Sequence, residues 1–504
     1  MKTIYRVLST NKIGPSVAVL RFLTELASVP RSPAPDMLYR LVISGFNIYP
    51  RLLSRKDATR EKEILKLSKK QKTQDGRNLR TSSTELLLAI LEHASVATKE
   101  SLLGNRVVTS PFIRFIPIDH DNTVLAILET LERHVLRDKR LNRAVKWAFF
   151  STDQCLLRIT NLYGRGSGDS TVQSNVSEKV HRFLLDVCIR PGNAICFEDR
   201  GWYPRYDTPN QDSDVSDVYV YNILLYRLIS QLRPAEIKFH RDLTVKILVV
   251  CPELRAPYFA KIQIPREVTL SYPFISWTSL WTEIIQLALP RNLDDSKSLP
   301  DVPPPIETVC ANVVPPFLNR GHFTNGLNHS ASFVAYTVCQ SVHAILLRME
   351  ELGTRYLTGP PKWRLQWEEL MDRVGRTLPD PATITSFCSR SFESPLLRHA
   401  GIKTLFLYTK VFHHRSFNAT FDPKVLLAEI DSGWDLSSPL SLMAGLHLLN
   451  IIDQQEVIDW WSKQGMSPSS FSDVRFSAVI DRNAPQTACH EQKSFGETSN
   501  REGS

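Results

Sequence analysis

The run LTVKILVV, residues 243–250, decides the fold. Its three valines, isoleucine and threonine are β-branched enough for a strand. Against that, Leu243, Ile247, Val250 and Leu254 lie on one stripe at helical spacing, so the segment reads as helix. The other strand candidates, IRFIPI (113–118) and FAKIQI (259–264), are short and isolated. Outward from this run, the chain reads as successive amphipathic helices of about 12–20 residues separated by Pro or polar breaks. SVAVLRFLTELASV (16–29) ends before Pro30, and SSTELLLAILEHASV (82–96) opens with a possible capping box from Ser82 to Glu85. DNTVLAILETLERHVLRDKR (121–140) has acid at its start and base at its end, as the helix dipole favours. NRAVKWAFFSTDQCLLRITNLY (142–163), SNVSEKVHRFLLDVCI (174–189) and VYVYNILLYRLISQL (218–232) follow. Beyond 254 come TSLWTEIIQLAL (278–289), ASFVAYTVCQSVHAILLRMEELG (331–353) and LLRHAGIKTLFLYTKVFH (396–413).

Ten or more such helices with few strands predict an all-α chain, an α-solenoid of stacked HEAT- or armadillo-like helix pairs. The 504 residues exceed what one ordinary core holds, about 250–300 residues. The expected division is a helical-repeat domain over 1–290 carrying a basic insertion at 51–80, then a Pro- and acid-rich linker or long inter-repeat loop at 291–307. The repeats continue over 308–465, and a polar, serine-rich, aperiodic tail at 466–504 is expected to be disordered. Only 20 glycines occur, about 4% against a usual ~7%. Loops that wrap phosphates on bare backbone are correspondingly scarce.

No secretory signal is visible, and the most apolar run, SLMAGLHLLNII (441–452), is shorter than the roughly 18–20 residues of a span and carries His447. Eight cysteines lie scattered without a CxxC pair, as free thiols do in a reducing compartment, so cytosol or nucleus is expected. Neither GxxxxGK[ST] nor GxGxxG occurs; YGRGSGDS (163–170) lies between helices and reads as a flexible loop. HExxH and GxSxG are absent, Cys188 and Cys196 have no second close pair, and His413-His414 diverge on a helix. No metal, cofactor, small-molecule substrate or membrane is therefore expected, nor a catalytic residue.

Two segments remain as interaction candidates. RPGNAICFEDRGWYPR (190–205) holds a thiol, two carboxylates and three arginines around Gly201, Trp202, Tyr203 and Pro204. As a nucleophile Cys196 would need a base or a helix N-terminus to lower its pKa. The structural reading is the stronger: residues 194–197 form an apolar plug, and Trp202 and Tyr203 lay rings against the next helices. Between 51 and 80, eleven Lys/Arg face four acids, a local net of +7 out of a total of +9. A solvated helix over 57–72 would use some of these charges. Within that helix the acids nevertheless run out after Glu63, so Arg55, Lys56, Arg60, Lys62, Lys66, Lys69, Lys70, Lys72, Arg77 and Arg80 read as an arm for nucleic acid or an import receptor.

NAICFEDRGWYP is similar to a loop of the nucleolar pre-ribosomal-associated protein 1 family. Residues 118–150, 224–259 and 323–352 resemble further stretches of the same family, in the same order. The likeness extends over about residues 1–360 and more loosely to about 465. It implies a nuclear and nucleolar helical-repeat scaffold, without catalysis, in early large-subunit assembly and pre-rRNA processing. Implied partners are precursor ribosomal RNA and assembly factors that include a DEAD-box helicase. Family members are several times longer, so the chain reads as a fragment or a shortened form. Asn193-Ala194 stands where the family loop has glycine. The alternative is a generic α-solenoid protein–protein adaptor without an RNA role, whose basic segment serves import alone.

Overall fold

A computed structural model of the chain describes residues 2–10, 13–54, 79–166, 171–198, 201–203, 220–262, 264–265, 267–294, 299–390, 394–412 and 438–453. Among these residues there is no strand, and the chain is all-α. Residues 1–450 form one compact unit; of the second, 451–504, the described residues are 451–453. The expected helix at 57–72 and the tail at 466–504 lie outside the described residues.

The first part of the unit runs α1 (Lys2–Ser9), α2 (Ile13–Ala27), α3 (Ala34–Leu38) and α4 (Tyr49–Ser54), then α5 (Leu79–His93), α6 (Val96–Gly104) and α7 (Arg106–Arg114). α8 (Asp121–Leu131) passes into a π turn, Glu132–Leu136, before α9 (Arg143–Ser151), α10 (Cys155–Thr160) and α11 (Thr171–Cys188). α12 (Ile223–Ile229), α13 (Lys238–Val250), α14 (Arg255–Lys261), α15 (Tyr272–Ile285) and α16 (Arg291–Asp294) follow. The last part comprises α17 (Ile306–Val313), α18 (Arg320–Leu327), α19 (Ser332–Thr358), α20 (Pro361–Thr377), α21 (Pro381–Arg390), α22 (Pro395–Val411) and α23 (Pro439–Asp453). Helices both adjacent and distant in sequence meet: α2 and α4 pack on α5, α4 on α7, and α19 on α15, α18, α20 and α22. α19 buries Val334, Val338, Val342, Ile345, Met349, Leu352 and Tyr356 along its 27 residues.

Residues 243–250 are helical within α13, which buries Leu243, Thr244, Ile247 and Leu248; Val250 is half-buried, and Leu254 belongs to a separate short turn after Cys251. Among the described residues neither isolated strand candidate forms a strand. Ile113 and Arg114 end α7, Ile116–Ile118 is a 3-10 turn, and Phe259–Lys261 ends α14. The capping box is not formed, because α5 begins at Leu79 and Ser82 and Ser83 are buried inside it. The helix expected over 142–163 is two helices. Asp153 (φ 48°) and Gln154 (φ 55°) adopt left-handed backbone, where Arg114 Nε reaches the Asp153 carboxylate at 3.1 Å and Arg158 Nε donates to its carbonyl at 2.8 Å. A long apolar pattern cannot reveal a break fixed by one guanidinium from α7 and another five residues further on.

The Pro-rich segment after residue 298 is held to α20. Trp363 Nε1 donates to the Pro300 carbonyl at 2.9 Å and Gln366 Nε2 to that of Pro304 at 2.8 Å.

A deeper tie joins α4, α5 and α7. Arg80, 3% exposed, donates Nε and Nη2 to the two Asp119 carboxylate oxygens at 2.6 Å each, Nη1 to the Leu53 carbonyl, and Nη2 also to the Phe112 carbonyl at 3.1 Å. Burial outweighs this pairing at Asp119 and leaves its carboxyl above the ordinary value. Removing the cation alone strands a buried acid and two carbonyls. Arg80→Met is therefore expected to cost about 3–5 kcal/mol in urea unfolding. The double variant Arg80→Met/Asp119→Leu should recover part of that loss; a double variant no more stable than the single would show that the charge pair is not the source.

His343, 4% exposed on α19, lies close to His399 and Lys403 of α22 and His447 of α23. Burial, aided by these neighbours, pushes its imidazole down to about 4, and His399 and His447 shift the same way. The unfolded chain binds the His343 proton near pH 6.5, whereas the folded chain binds it only near 4. Its contribution, about 3 kcal/mol, is present above pH 6.5 and lost as pH falls towards 4. Urea midpoints of wild type and His343→Gln should converge over this window, and a constant difference would exclude the linkage.

Candidate interaction site: the pinned loop and the basic arm

The loop after α11 is fixed from three sides. Gly192, at φ 85°, turns the chain, and Ala194, Ile195 and Cys196 are buried as the expected plug. Arg143, on the first turn of α9, donates to the carbonyls of Ala194 and Cys196 and lies 3.9 Å above the Phe197 ring. Asn222, just before α12, pairs with the Phe197 backbone in both directions: its Oδ1 accepts from the amide at 2.7 Å and its Nδ2 donates to the carbonyl at 3.0 Å. Glu253 holds Asn222 in turn, accepting its backbone N–H at 2.8 Å, its Nδ2 at 3.0 Å and the Tyr221 N–H at 3.1 Å.

Gly201 and Trp202 are buried, and Tyr203 is half-buried with its hydroxyl donating to the Val302 carbonyl at 2.9 Å. Trp202, at 2% exposure, is among the largest enclosed side chains. Gly201 is required twice over. Its φ is 66°, and a Cβ would stand 2.6 Å from Asn292 Oδ1 and 2.7 Å from the Pro290 Cβ. Pro204 lies outside the described residues.

Cys196 is fully buried with its sulfur 3.8 Å from that of Cys251. Burial pushes the neighbouring Cys188 thiol upward, and the charged form of Cys196 adds to that shift. The structure encloses Cys196 instead of presenting it to a substrate, in line with the packing reading. Among the described residues no three His, Cys, Asp or Glu side chains come together to hold a metal, and no helix is long and apolar enough to cross a membrane.

Of the basic arm, Arg55, Lys56, Arg60, Lys62, Lys66, Lys69, Lys70, Lys72 and Arg77 lie outside the described residues. Arg80 does not. It was expected to extend the cationic patch, but its guanidinium is buried on Asp119 and two backbone carbonyls and is not presented to a phosphate. The count of charges along the sequence could not separate it from its neighbours. Leu79, following directly on the polar arm, begins the helix that draws Arg80 inside. Sequence reasoning also passed over Arg143, Asn222 and Glu253, because their roles consist of contacts to backbone far along the chain. An asparagine before an apolar helix was the one available signal, and it points to a cap as readily as to a loop clamp.

The fold and the loop define an all-helical protein whose inter-helix loop is secured from behind by polar side chains of its helical body. Residues 1–277 match the family model described as Npa1, ribosome 60S biogenesis N-terminal, and the chain belongs to that family. Nucleolar pre-ribosomal-associated protein 1 of Saccharomyces cerevisiae is 22% identical over 404 residues, covering 78% of this chain and 22% of its own. The Homo sapiens protein of that name is 25% identical over 396 residues (66% and 16% covered), and that of Mus musculus 27% over 251 residues (46% and 10% covered). The chain thus spans less than a quarter of the length of these relatives. The family's description refers to biogenesis of the 60S ribosomal subunit, and the names of these relatives refer to the nucleolus and to pre-ribosomes. An engineered protein of known crystal structure aligns over 89% of this chain and 98% of its own at 12% identity, with a TM-score of 0.28 that carries no structural conclusion.

Gly201→Ala combines a strained φ with a steric clash and is expected to destabilise the chain by about 1–3 kcal/mol. Cys196→Ser, which keeps the size of the buried side chain, should leave any association with pre-ribosomes unchanged. Loss of that association in a folded Cys196→Ser protein would overturn the packing role.

Proposed function

We propose that the chain is a non-enzymatic scaffold of the nucleolus that acts early in assembly of the large ribosomal subunit and in pre-rRNA processing, through precursor rRNA and assembly factors including a DEAD-box helicase. The family match over residues 1–277 carries this reading, since that span contains both the pinned loop and the basic arm. The helices stack as HEAT- or armadillo-like pairs into an α-solenoid, an arrangement supported by the pairing of neighbouring helices such as α19 with α18, α20 and α22. A surface of this kind holds several partners in fixed geometry and raises their effective concentrations for one another. The arm adds attraction to phosphate that is blind to sequence. Gly201, Trp202, Tyr203 and Pro204 complete a loop that serves packing or partner contact.

The structure dictates how the arm must be tested. Leu52, Leu53, Leu79 and Arg80 are buried, so deletion of 51–80 would damage the body along with the arm. Replacing 55–77 with a Gly/Ser linker of equal length spares them. Purification from nuclear extract at moderate salt, with bound RNA sequenced and proteins identified before and after RNase, is expected to recover large-subunit precursor RNA and assembly factors. RNA recovery should fall several-fold with the linker variant. A folded, nuclear chain that recovers neither would support an adaptor without an RNA role.

A further inference from the structure

We infer that the C-terminal end of α8, its π turn and the facing side of α11 form a second RNA-phosphate surface, built from Arg133, Arg137, Lys139, Arg140, Lys179 and Arg182, none of which belongs to the arm. The inference rests on the RNA reading above and adds where on the folded body the phosphates lie.

The two elements are joined through one acid. Glu132 accepts from Lys179 Nζ at 2.9 Å and from Arg137, and the charge of Arg182 also acts on it. Glu129 pairs with Arg133, while Asp138 is shared by Arg140 at 2.9 Å and Lys99 at 3.5 Å. Glu92 faces the patch from α5, 3.9 Å from His134. Six cations thus surround four carboxylates, two of which are each divided between two cations.

A helix end normally consumes nearby cations, because its last carbonyls are negative and unpaired. Here a buried lysine takes that role. Lys146, 4% exposed, donates to the carbonyls of Leu136 at 3.0 Å and Asp138 at 2.9 Å, and Lys99 is 3% exposed beneath Asp138. The outer cations are therefore surplus to the fold. Arg133, Arg137 and Arg140 are 64%, 63% and 72% exposed, and Arg133 and Arg137 each engage their acid through one terminal nitrogen. Arg133 and Arg137 lie four residues apart in and just after the π turn, near enough in the chain to serve neighbouring charges of a linear polyanion.

The surroundings favour nucleic acid over an acidic protein segment. Protein partners need apolar anchors at the centre of an interface, and among the described residues none between 119 and 248 is an exposed large hydrophobic side chain. A phosphate backbone needs only such a row of donors.

The test is the salt dependence of binding to a fluorescein-labelled single-stranded RNA of about 20 nucleotides, measured for the full chain, the 55–77 linker variant, and Arg133→Gln/Arg137→Gln/Arg140→Gln. Removing three phosphate contacts should lower the slope of log K against log salt by about 2, in the wild-type and the linker background alike. The pair Lys139→Gln/Arg182→Gln, which breaks none of the hydrogen bonds above, should lower it by about 1.4 on the same constant. This pair decides the matter if the triple variant unfolds. A wild-type chain that does not bind the RNA would overturn both this surface and the RNA reading. Binding whose slope is unchanged in the glutamine variants but collapses with the linker would overturn this surface alone and leave the arm as the contact.

Discussion

The structure depends on donors for the carbonyls that helices leave unpaired at their C-terminal ends. Every α-helix exposes about four such groups, and glycine in a left-handed cap is a common way to close them. This chain has only 20 glycines and closes many ends with guanidinium groups from other helices. Arg348, on α19, donates to the carbonyls of Ile285 and Leu287 beyond α15, and Arg255 to that of Leu248 near the end of α13. Arg320 serves Gly375 and Leu378 at the end of α20, and Arg390 serves Leu327 at the end of α18. Arg80 does this at once for α4 and α7. Each such bond closes a helix end and joins two helices, because the donor comes from a partner and not from the helix itself.

The loop at 190–203 applies the same chemistry to irregular backbone. Its carbonyls at Ala194 and Cys196 go to Arg143, and the Phe197 peptide goes to Asn222, which Glu253 holds in place. Trp202, further along the segment, is buried. Such a loop keeps its shape when nothing is bound to it, which reduces the ordering cost of any contact it makes.

This accounts for what could be read from the sequence. The apolar periodicity of α13 was legible because helical burial is local: Leu243 and Ile247 meet the core whichever partners lie opposite. The loop was legible as packing because its apolar and aromatic residues are contiguous. Family membership followed from the same residues. Features fixed by distant carbonyls were not legible. The break at Asp153-Gln154 is held by Arg114 and Arg158, and the early start of α5 by the burial of Leu79 and Arg80. Ser82 looked like a cap only because nothing in the sequence shows that the helix has begun three residues before it.

The same constraint limits what the formal charge of +9 can mean. A cation that closes a helix end is neutralised by geometry, however basic its neighbours in sequence, so Arg80 leaves the arm and joins the core. Conversely, a helix end closed from inside releases the cations around it. Lys146 does this beneath the end of α8, where the sequence shows one acid-to-base gradient and the structure separates an internal lysine from exposed arginines. Net charge along the chain is therefore a poor guide to polyanion binding here. The cations available to a phosphate backbone are those that the carbonyls have not already claimed.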